Sequence, residues 1–260
     1  MLDINSKVLL NNGLKMPLLG IGTWQTKNGE TAYNAVRIAL DAGYRHIDTA
    51  RVYGNEESVG RAIRDSGIPR EEIWVTTKLL LLYGFNSDKM FEDSFRKLGL
   101  DYIDLLLIHF PIPLIVKRNW QKLERIYKLG TVRALGVSNH SISQIKEVLN
   151  IAEVKPVVNQ IKCSPYNYDP KMHEYLKSQN IYFEAYSPLT RGKKLNDERL
   201  LRLAKKYNKS TAQILIKWCL QKDIIVIPKS IHKNRIIENA DVYDFEMADI
   251  EIKELDSFRD

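Results

Sequence analysis

An aspartate, a tyrosine, a lysine and a histidine each stand at or just beyond the end of a short apolar run: Asp48, Tyr53, Lys78 and His109. An unperturbed phenol ionises near pH 10, so by itself it is a poor proton source at neutral pH. A neighbouring ammonium favours the phenolate, and a carboxylate paired to that ammonium holds it in place. Tyr53 beside Lys78, with Lys78 paired to Asp48, reads as a tuned general acid. A neutral His109 could donate a hydrogen bond to a substrate oxygen and orient a carbonyl. Preplaced donors of this kind stabilise the alkoxide that develops there. The set contains no hydride source, which a cofactor would have to bring.

More polar groups follow the other apolar runs: Ser138-Asn139, Gln160, Tyr186-Ser187 and Lys229-Ser230. Taken singly, each has a structural explanation. Asp48 could cap the next helix, Lys78 could end a strand in solvent, and His109 could be a satisfied buried histidine. Ser138-Asn139 could be a capping and turn pair ahead of Ile142. Together they are harder to dismiss, because independent loops are not expected to deliver a carboxylate, an ammonium and an imidazole to one rim.

The elements that would position them alternate regularly. Apolar runs cover residues 18–21, 44–47, 73–77, 103–108, 132–137, 157–161, 181–185 and 224–227. Most intervals are about 25–30 residues, enough for a strand and a crossover helix. Helical periodicity fills the gaps, with Tyr33, Val36, Ala39 and Leu40 on one face and Ile142, Ile145, Val148 and Leu149 on another. Residues 197–207 and 210–221 read as two helices, the second capped by Ser210. Residues 248–257 read as the last helix. Asn11-Asn12-Gly13 suggests a small β-hairpin joining residues 8–10 to 14–16.

These units predict an α/β fold, a (β/α)8 TIM barrel with an N-terminal β-hairpin, as one domain over residues 1–260. An open doubly wound sheet would show a Gly-rich phosphate loop early in the chain. Leu19-Gly20-Ile21-Gly22 lacks the third glycine and the helix start that such a loop needs. In a parallel barrel the reactive face lies beyond the carboxyl ends of the strands, where the polar residues fall.

Composition narrows the function classes. The 260 residues are 44% hydrophobic and 27% charged, enough for a sizeable core. No apolar run approaches the ~20 residues of a membrane span. The first fifteen residues lack a cleavable leader, and the two cysteines, Cys163 and Cys219, stand far apart. A cytoplasmic protein is expected. The net charge of +7 is spread over interspersed basic and acidic residues, which argues against nucleic acid as a partner. A modest positive field would help an anionic cofactor find its site. No metal site is expected, since His46, His109, His140, His173 and His232 show neither HxH nor HExxH spacing.

Three ordered motifs resemble the signatures of the aldo-keto reductases. The first is Gly43-Tyr44-Arg45-His46-Ile47-Asp48-Thr49-Ala50 continuing through Tyr53-Gly54-Asn55-Glu56. The second is Leu98-Gly99-Leu100-Asp101-Tyr102-Ile103-Asp104-Leu105 running to Ile108-His109-Phe110-Pro111. The third is Ile227-Pro228-Lys229-Ser230 with Arg235-Ile236 and Glu238-Asn239.

The resemblance implies a catalytic tetrad of Asp48, Tyr53, Lys78 and His109, and NADPH as cofactor. It implies that Ser138, Asn139 and Gln160 hold the carboxamide of the nicotinamide, with Tyr186 stacked on its ring. Gly22, Thr23, Ser187 and Leu189 would line the pyrophosphate and ribose. Lys229, Ser230 and Arg235 would take the 2′-phosphate, and Glu238 and Asn239 would meet the adenine. Trp24 would wall the substrate pocket. His46 belongs to the first motif but reads as a packing residue.

Departures from the pattern gather at the substrate side. Leu80 stands where many relatives carry a tryptophan, within the apolar segment 79–82, and would form part of the pocket rim. The segment 111–120 is short for a substrate loop, and Arg191 replaces a small polar residue near the pyrophosphate. The chain stops soon after the last helix, so a broad, open pocket is expected.

The activity expected is NADPH-dependent reduction of aldehydes and ketones to alcohols. The partners would be small carbonyl substrates, with neither nucleic acid nor membrane, and the chain a monomer or at most a weak dimer. The alternative is a non-catalytic NADPH-binding regulatory subunit, as potassium-channel β subunits resembling this family suggest. All four tetrad types are present, which argues against it. A metal-dependent barrel hydrolase is a third reading, with little support.

Overall fold

The structure is a computed structural model that describes residues 2–258. It begins with the hairpin, β1 (Lys7–Leu9) and β2 (Lys15–Pro17), paired antiparallel with Val8 opposite Met16. Each strand ends one residue from the expected position, because the turn closes with a bond from Leu10 N to Leu14 O. Period-two alternation buries Val8 and Met16 and leaves Lys7 and Leu9 in solvent.

The barrel strands follow with their helices in chain order. They are β3 (Ile21–Gly22), α1 (Glu30–Asp41), β4 (His46–Asp48), α2 (Glu56–Arg64), β5 (Trp74–Leu79), α3 (Ser87–Leu98), β6 (Leu105–Ile108) and α4 (Val116–Tyr127). Next come β7 (Leu135–Ser138), α5 (Ile142–Leu149), β8 (Val158–Lys162), α6 (Pro170–Ser178) and β9 (Tyr182–Tyr186). Two helices, α7 (Glu198–Tyr207) and α8 (Thr211–Gln221), precede β10 (Ile225–Ile227), and α9 (Lys233–Ala240) and α10 (Asp249–Asp256) end the described chain.

Strands β3 to β10 lie side by side in chain order, and every pair is parallel. The sheet closes on itself through bonds from Gly20 N to Val226 O, Val226 N to Leu18 O and Gly22 N to Pro228 O. The eight expected runs are the eight strands, and the (β/α)8 barrel is present. The first strand is assigned late because residues 18–20 bond chiefly across the closure.

Local signals fix the helix starts. Ser141 and Ser210 form reciprocal capping boxes with Gln144 and Gln213, and Asp169 caps a helix that opens on Pro170. Helix α8 is buried nearly all round, from Ala212 to Leu220, with the polar Gln213 and Lys217 among its buried residues.

The amino-terminal end of the barrel is stitched shut. Asn11 Nδ2 donates to Pro156 O and Asn180 O, tying the hairpin to the loops ahead of β8 and β9. Beside it, buried Asp104 accepts from Arg70, Arg133 and the backbone N–H of Val75. The polar residues of interest therefore lie at the other end.

Gly60 marks the tightest contact between helices. A Cβ there would fall 1.8 Å from the Leu98 carbonyl oxygen, a backbone atom that cannot swing away. Gly60→Ala should force α2 off α3 and destabilise the fold by about 2–4 kcal/mol, or about 5–10 °C in Tm. Thermal unfolding of the variant checks this, and an unchanged Tm would contradict the packing described.

Candidate active site

Asp48 is the last residue of β4, and Lys78 lies near the end of neighbouring β5, with Asp48 in register with Thr76. Both side chains are buried. Lys78 Nζ donates to Asp48 Oδ1 and Oδ2 at 2.6 and 2.7 Å and to the Thr49 carbonyl at 2.9 Å. Asp48 thus caps no helix. Burial works against the charge of Lys78, but Asp48 and Tyr53 outweigh it and hold the ammonium above the usual lysine range. Burial presses the Asp48 carboxyl upward, against the pull of Lys78 and Gln160.

Tyr53 ends a short 3-10 turn, Arg51–Tyr53, that Gly54 terminates in the left-handed region at φ 69. Its hydroxyl lies 3.5 Å from Lys78 Nζ. Lys78 pulls the phenol's pKa down, as expected, but burial pushes it up more strongly and the net direction is upward. The hydroxyl is therefore protonated at neutral pH, as a proton donor must be. Asn55 fixes this turn against the β3–α1 loop, donating to the Thr23 and Thr26 carbonyls while accepting from Thr49 Oγ1. Trp24 and Tyr53 are placed relative to each other by that one amide.

His109 follows β6, and its ring meets that of Tyr53 edge-on with centroids 5.6 Å apart. Burial, then the charge of Lys78, lowers its pKa to about 3, so the ring is neutral. Nδ1 is buried without a hydrogen-bond partner. Asn139, at φ 60, donates to the His109 carbonyl and to Ser138 Oγ and accepts from the Tyr186 hydroxyl at 2.9 Å. Ser138 Oγ donates to the Gln160 carbonyl. Gln160 Nε2 reaches across the barrel from β8 to Asp48 Oδ2 at 2.8 Å.

These groups surround a cavity of about 320 Å³. Asp48, Tyr53, His109, Ser138, Asn139 and Gln160 line it, with Gly22, Trp24, Tyr186, Ser187 and Lys229. Lys78 lies behind Asp48 and Tyr53 without facing it. Val52, Phe110, Arg191 and Ile227 complete the lining. Of these, Val52 carries no sequence signal, whereas Phe110 and Ile227 fall within the second and third motifs and Arg191 departs from the usual small residue. Its guanidinium lies 4.4 Å from the centroid of the Trp24 ring, carried on a left-handed turn through Thr190 and Arg191.

Leu80 does not line the cavity. β5 ends at Leu79, and the next residues turn away as Leu81 is buried and its carbonyl accepts from Asn119 Nδ2. The apolar wall is therefore built by Trp24, Val52 and Phe110. Thr23, Leu189, Ser230, Arg235, Glu238 and Asn239 also lie outside this lining. Thr23 Oγ1 donates to the Asp48 carbonyl, and Glu238 accepts from Ser210 Oγ.

A nicotinamide dinucleotide phosphate fits the donor set beside the cavity. Lys229 and Arg235 have no carboxylate partner among the described residues. Two cations without a carboxylate partner, on the segment that also carries the Ser230 hydroxyl, are the kind of donors a phosphate monoester requires.

A closed (β/α)8 barrel with ionisable side chains gathered under one cavity at the carboxyl ends of its strands is the layout of a barrel enzyme. The sequence pattern of the Aldo/keto reductase family matches residues 18–260, so the chain belongs to that family of oxidoreductases. It is 42% identical to "Glyoxal reductase" of Bacillus subtilis (strain 168), over 98% of this chain and 93% of the relative. It is 40% identical to "Methylglyoxal reductase DkgA" of Escherichia coli (strain K12), over 95% and 91% of the two chains. The crystal structure of a Bombyx mori aldo-keto reductase in complex with NADP is similar at a TM-score of 0.90. The identity is 36%, covering 100% of this chain and 94% of that one.

Lys78→Met tests the buried pair. It leaves Asp48 without a counter-charge, and breaking such a pair costs about 3–5 kcal/mol. The stranded carboxyl would have its pKa raised in the folded state, so the loss should be full at neutral pH. It should fade toward about pH 4, where the unfolded carboxyl also takes up a proton. Urea unfolding of parent and variant across that range checks the sign, and a loss independent of pH would contradict the charge argument.

Proposed function

We propose that this protein, as one barrel domain, reduces small aldehydes and activated ketones to alcohols with NADPH. The observation that carries the reading is the Tyr53 hydroxyl, protonated, 3.5 Å from the Lys78 ammonium at the edge of the cavity. When bound, the reduced nicotinamide supplies a hydride to the carbonyl carbon. Tyr53 gives its proton to the carbonyl oxygen, and Lys78 stabilises the phenolate that remains. Asp48 holds Lys78 in place.

Neutral His109 has one N–H to give. Since Nδ1 is sealed off, that proton belongs on Nε2, from which it can donate to the substrate oxygen. Ser138, Asn139 and the Gln160 carbonyl would hold the carboxamide, Tyr186 would back the ring, and Gly22, Thr23, Ser187 and Leu189 would follow the ribose and pyrophosphate. Lys229, Ser230 and Arg235 would take the 2′-phosphate, with Glu238 and Asn239 at the adenine.

A cavity of about 320 Å³ and the names of the relatives support this substrate class. Trp24, Val52 and Phe110 offer apolar contact but few polar grips, so electrophilic carbonyls that need little positioning are favoured. The relatives named for glyoxal and methylglyoxal point the same way. NADPH oxidation over a panel of glyoxal, methylglyoxal, nitrobenzaldehydes and aldoses tests this. A thousandfold preference for one sugar would overturn the substrate class, and no oxidation with any carbonyl would overturn the activity.

Two variants separate chemistry from binding. Tyr53→Phe removes the proton donor and keeps the ring, so kcat should fall by about two to four orders of magnitude while NADPH still binds. A near-parental rate would move the proton to His109. Arg235→Ala removes one charge-assisted contact, so NADPH affinity should fall about 10–150-fold while NADH affinity stays put. Equal affinity of the parent for both cofactors would sink that assignment.

A further inference from the structure

Behind the cavity, inside the barrel, Glu184 has no part in the chemistry described above. It lies at the centre of β9 and is fully buried. Its Oε2 accepts from Gln160 Nε2 at 3.0 Å, and the same nitrogen donates to Asp48 Oδ2. An amide nitrogen carries two hydrogens. Both are committed, and a flipped amide would set its carbonyl oxygen against the Asp48 carboxylate.

The other oxygen of Glu184 lies 3.5 Å from His46 Nε2, which in turn lies 3.3 Å from Thr76 Oγ1. A Cβ on Gly20 would fall 2.5 Å from His46 Nδ1, so the backbone just before β3 is packed against that imidazole. Burial, then Lys78, lowers His46 to about 3 and keeps it neutral. The charged and titratable groups facing Glu184 are thus His46 and Asp48 from β4 and Lys78 from β5. The neighbouring strands offer only the Gln160 amide and apolar Ile225. Burial, then the charge of Asp48, raises Glu184 to about 8. At neutral pH it is an uncharged acid, and Asp48 alone balances Lys78.

We propose that Glu184 is a positioning residue for the reaction, holding the second N–H of Gln160 so that the amide keeps Oε1 toward the cavity and stays coupled to the Asp48–Lys78 pair. The inference rests on the reading that Gln160 meets the carboxamide of NADPH. Without Glu184, one buried N–H loses its acceptor and the amide can swing away from Asp48. Ionised Glu184 would place a second negative charge beside Asp48. That charge draws on Lys78 at the expense of the Tyr53 phenolate, and carbonyl reduction slows.

The test compares the parent with Glu184→Leu and Glu184→Gln by NADPH fluorescence titration and by the pH profile of kcat. Glu184→Leu should weaken NADPH binding about five- to thirtyfold. Glu184→Gln, whose carbonyl still accepts from Gln160, should stay within about twofold of the parent. It should also move the alkaline limb of kcat upward by about one pH unit, which loosened packing would not do. Parental NADPH affinity in Glu184→Leu, or a Glu184→Gln limb superimposed on the parent's, overturns the proposal. The second comparison stands even if the leucine variant does not fold. A parent that binds no NADPH overturns the underlying reading, and this inference with it.

Discussion

An ammonium group closed inside a barrel sets the conditions that the rest of this structure meets. Lys78 can stay charged there only because Asp48 meets it with both oxygens and the Thr49 carbonyl takes a third bond. That demand fixes where β4 must end relative to β5 and what must follow Asp48 in the chain. It also depresses both nearby imidazoles, His46 and His109, whose pKa values fall with burial first and with the charge of Lys78 second. The phenol of Tyr53 is held between two opposing influences, burial and that same cation, and burial prevails.

Much of this could be read along the chain because the relevant signals are local. Each strand is a short apolar run, and most runs carry at or near their end a polar residue that faces the cavity or its neighbours. The barrel's periodicity therefore revealed the fold and the rim together. Ser210 could be recognised as a cap from the Gln three residues later. What could not be read depends on where side chains point after long excursions of the chain. Gln160 meets Asp48 over a separation of 112 residues. Leu80 sits where the pattern places a pocket residue, yet the burial of Leu81 turns it aside. Val52 reaches the cavity from the short turn that carries Tyr53, and Phe110 from directly after His109, and an apolar residue type alone marks neither as part of a pocket. Glu184 left a trace, a carboxylate within an otherwise uncharged strand, but only its distances to Gln160 and His46 say what it touches.

The hydrogen bonds around the cavity form few separate pairs. Asn139 links His109 to Tyr186, Ser138 links Asn139 to Gln160, and Gln160 links Asp48 to Glu184. A change at one of these residues passes to groups on strands far apart in sequence. Their mutational effects are therefore expected to be coupled and not additive.

The two ends of the barrel each bury an aspartate, and the partner chosen for each has a consequence. At the mouth Asp48 is paired with a lysine, whose compact charge also acts on the phenol of Tyr53. At the closed end Asp104 is paired with Arg70 and Arg133, and a guanidinium does not release its proton at any pH a folded protein survives. The two arginines therefore keep their charge under conditions that change the protonation of the cavity, and the closed end is held by donors that do not titrate with the chemistry it supports.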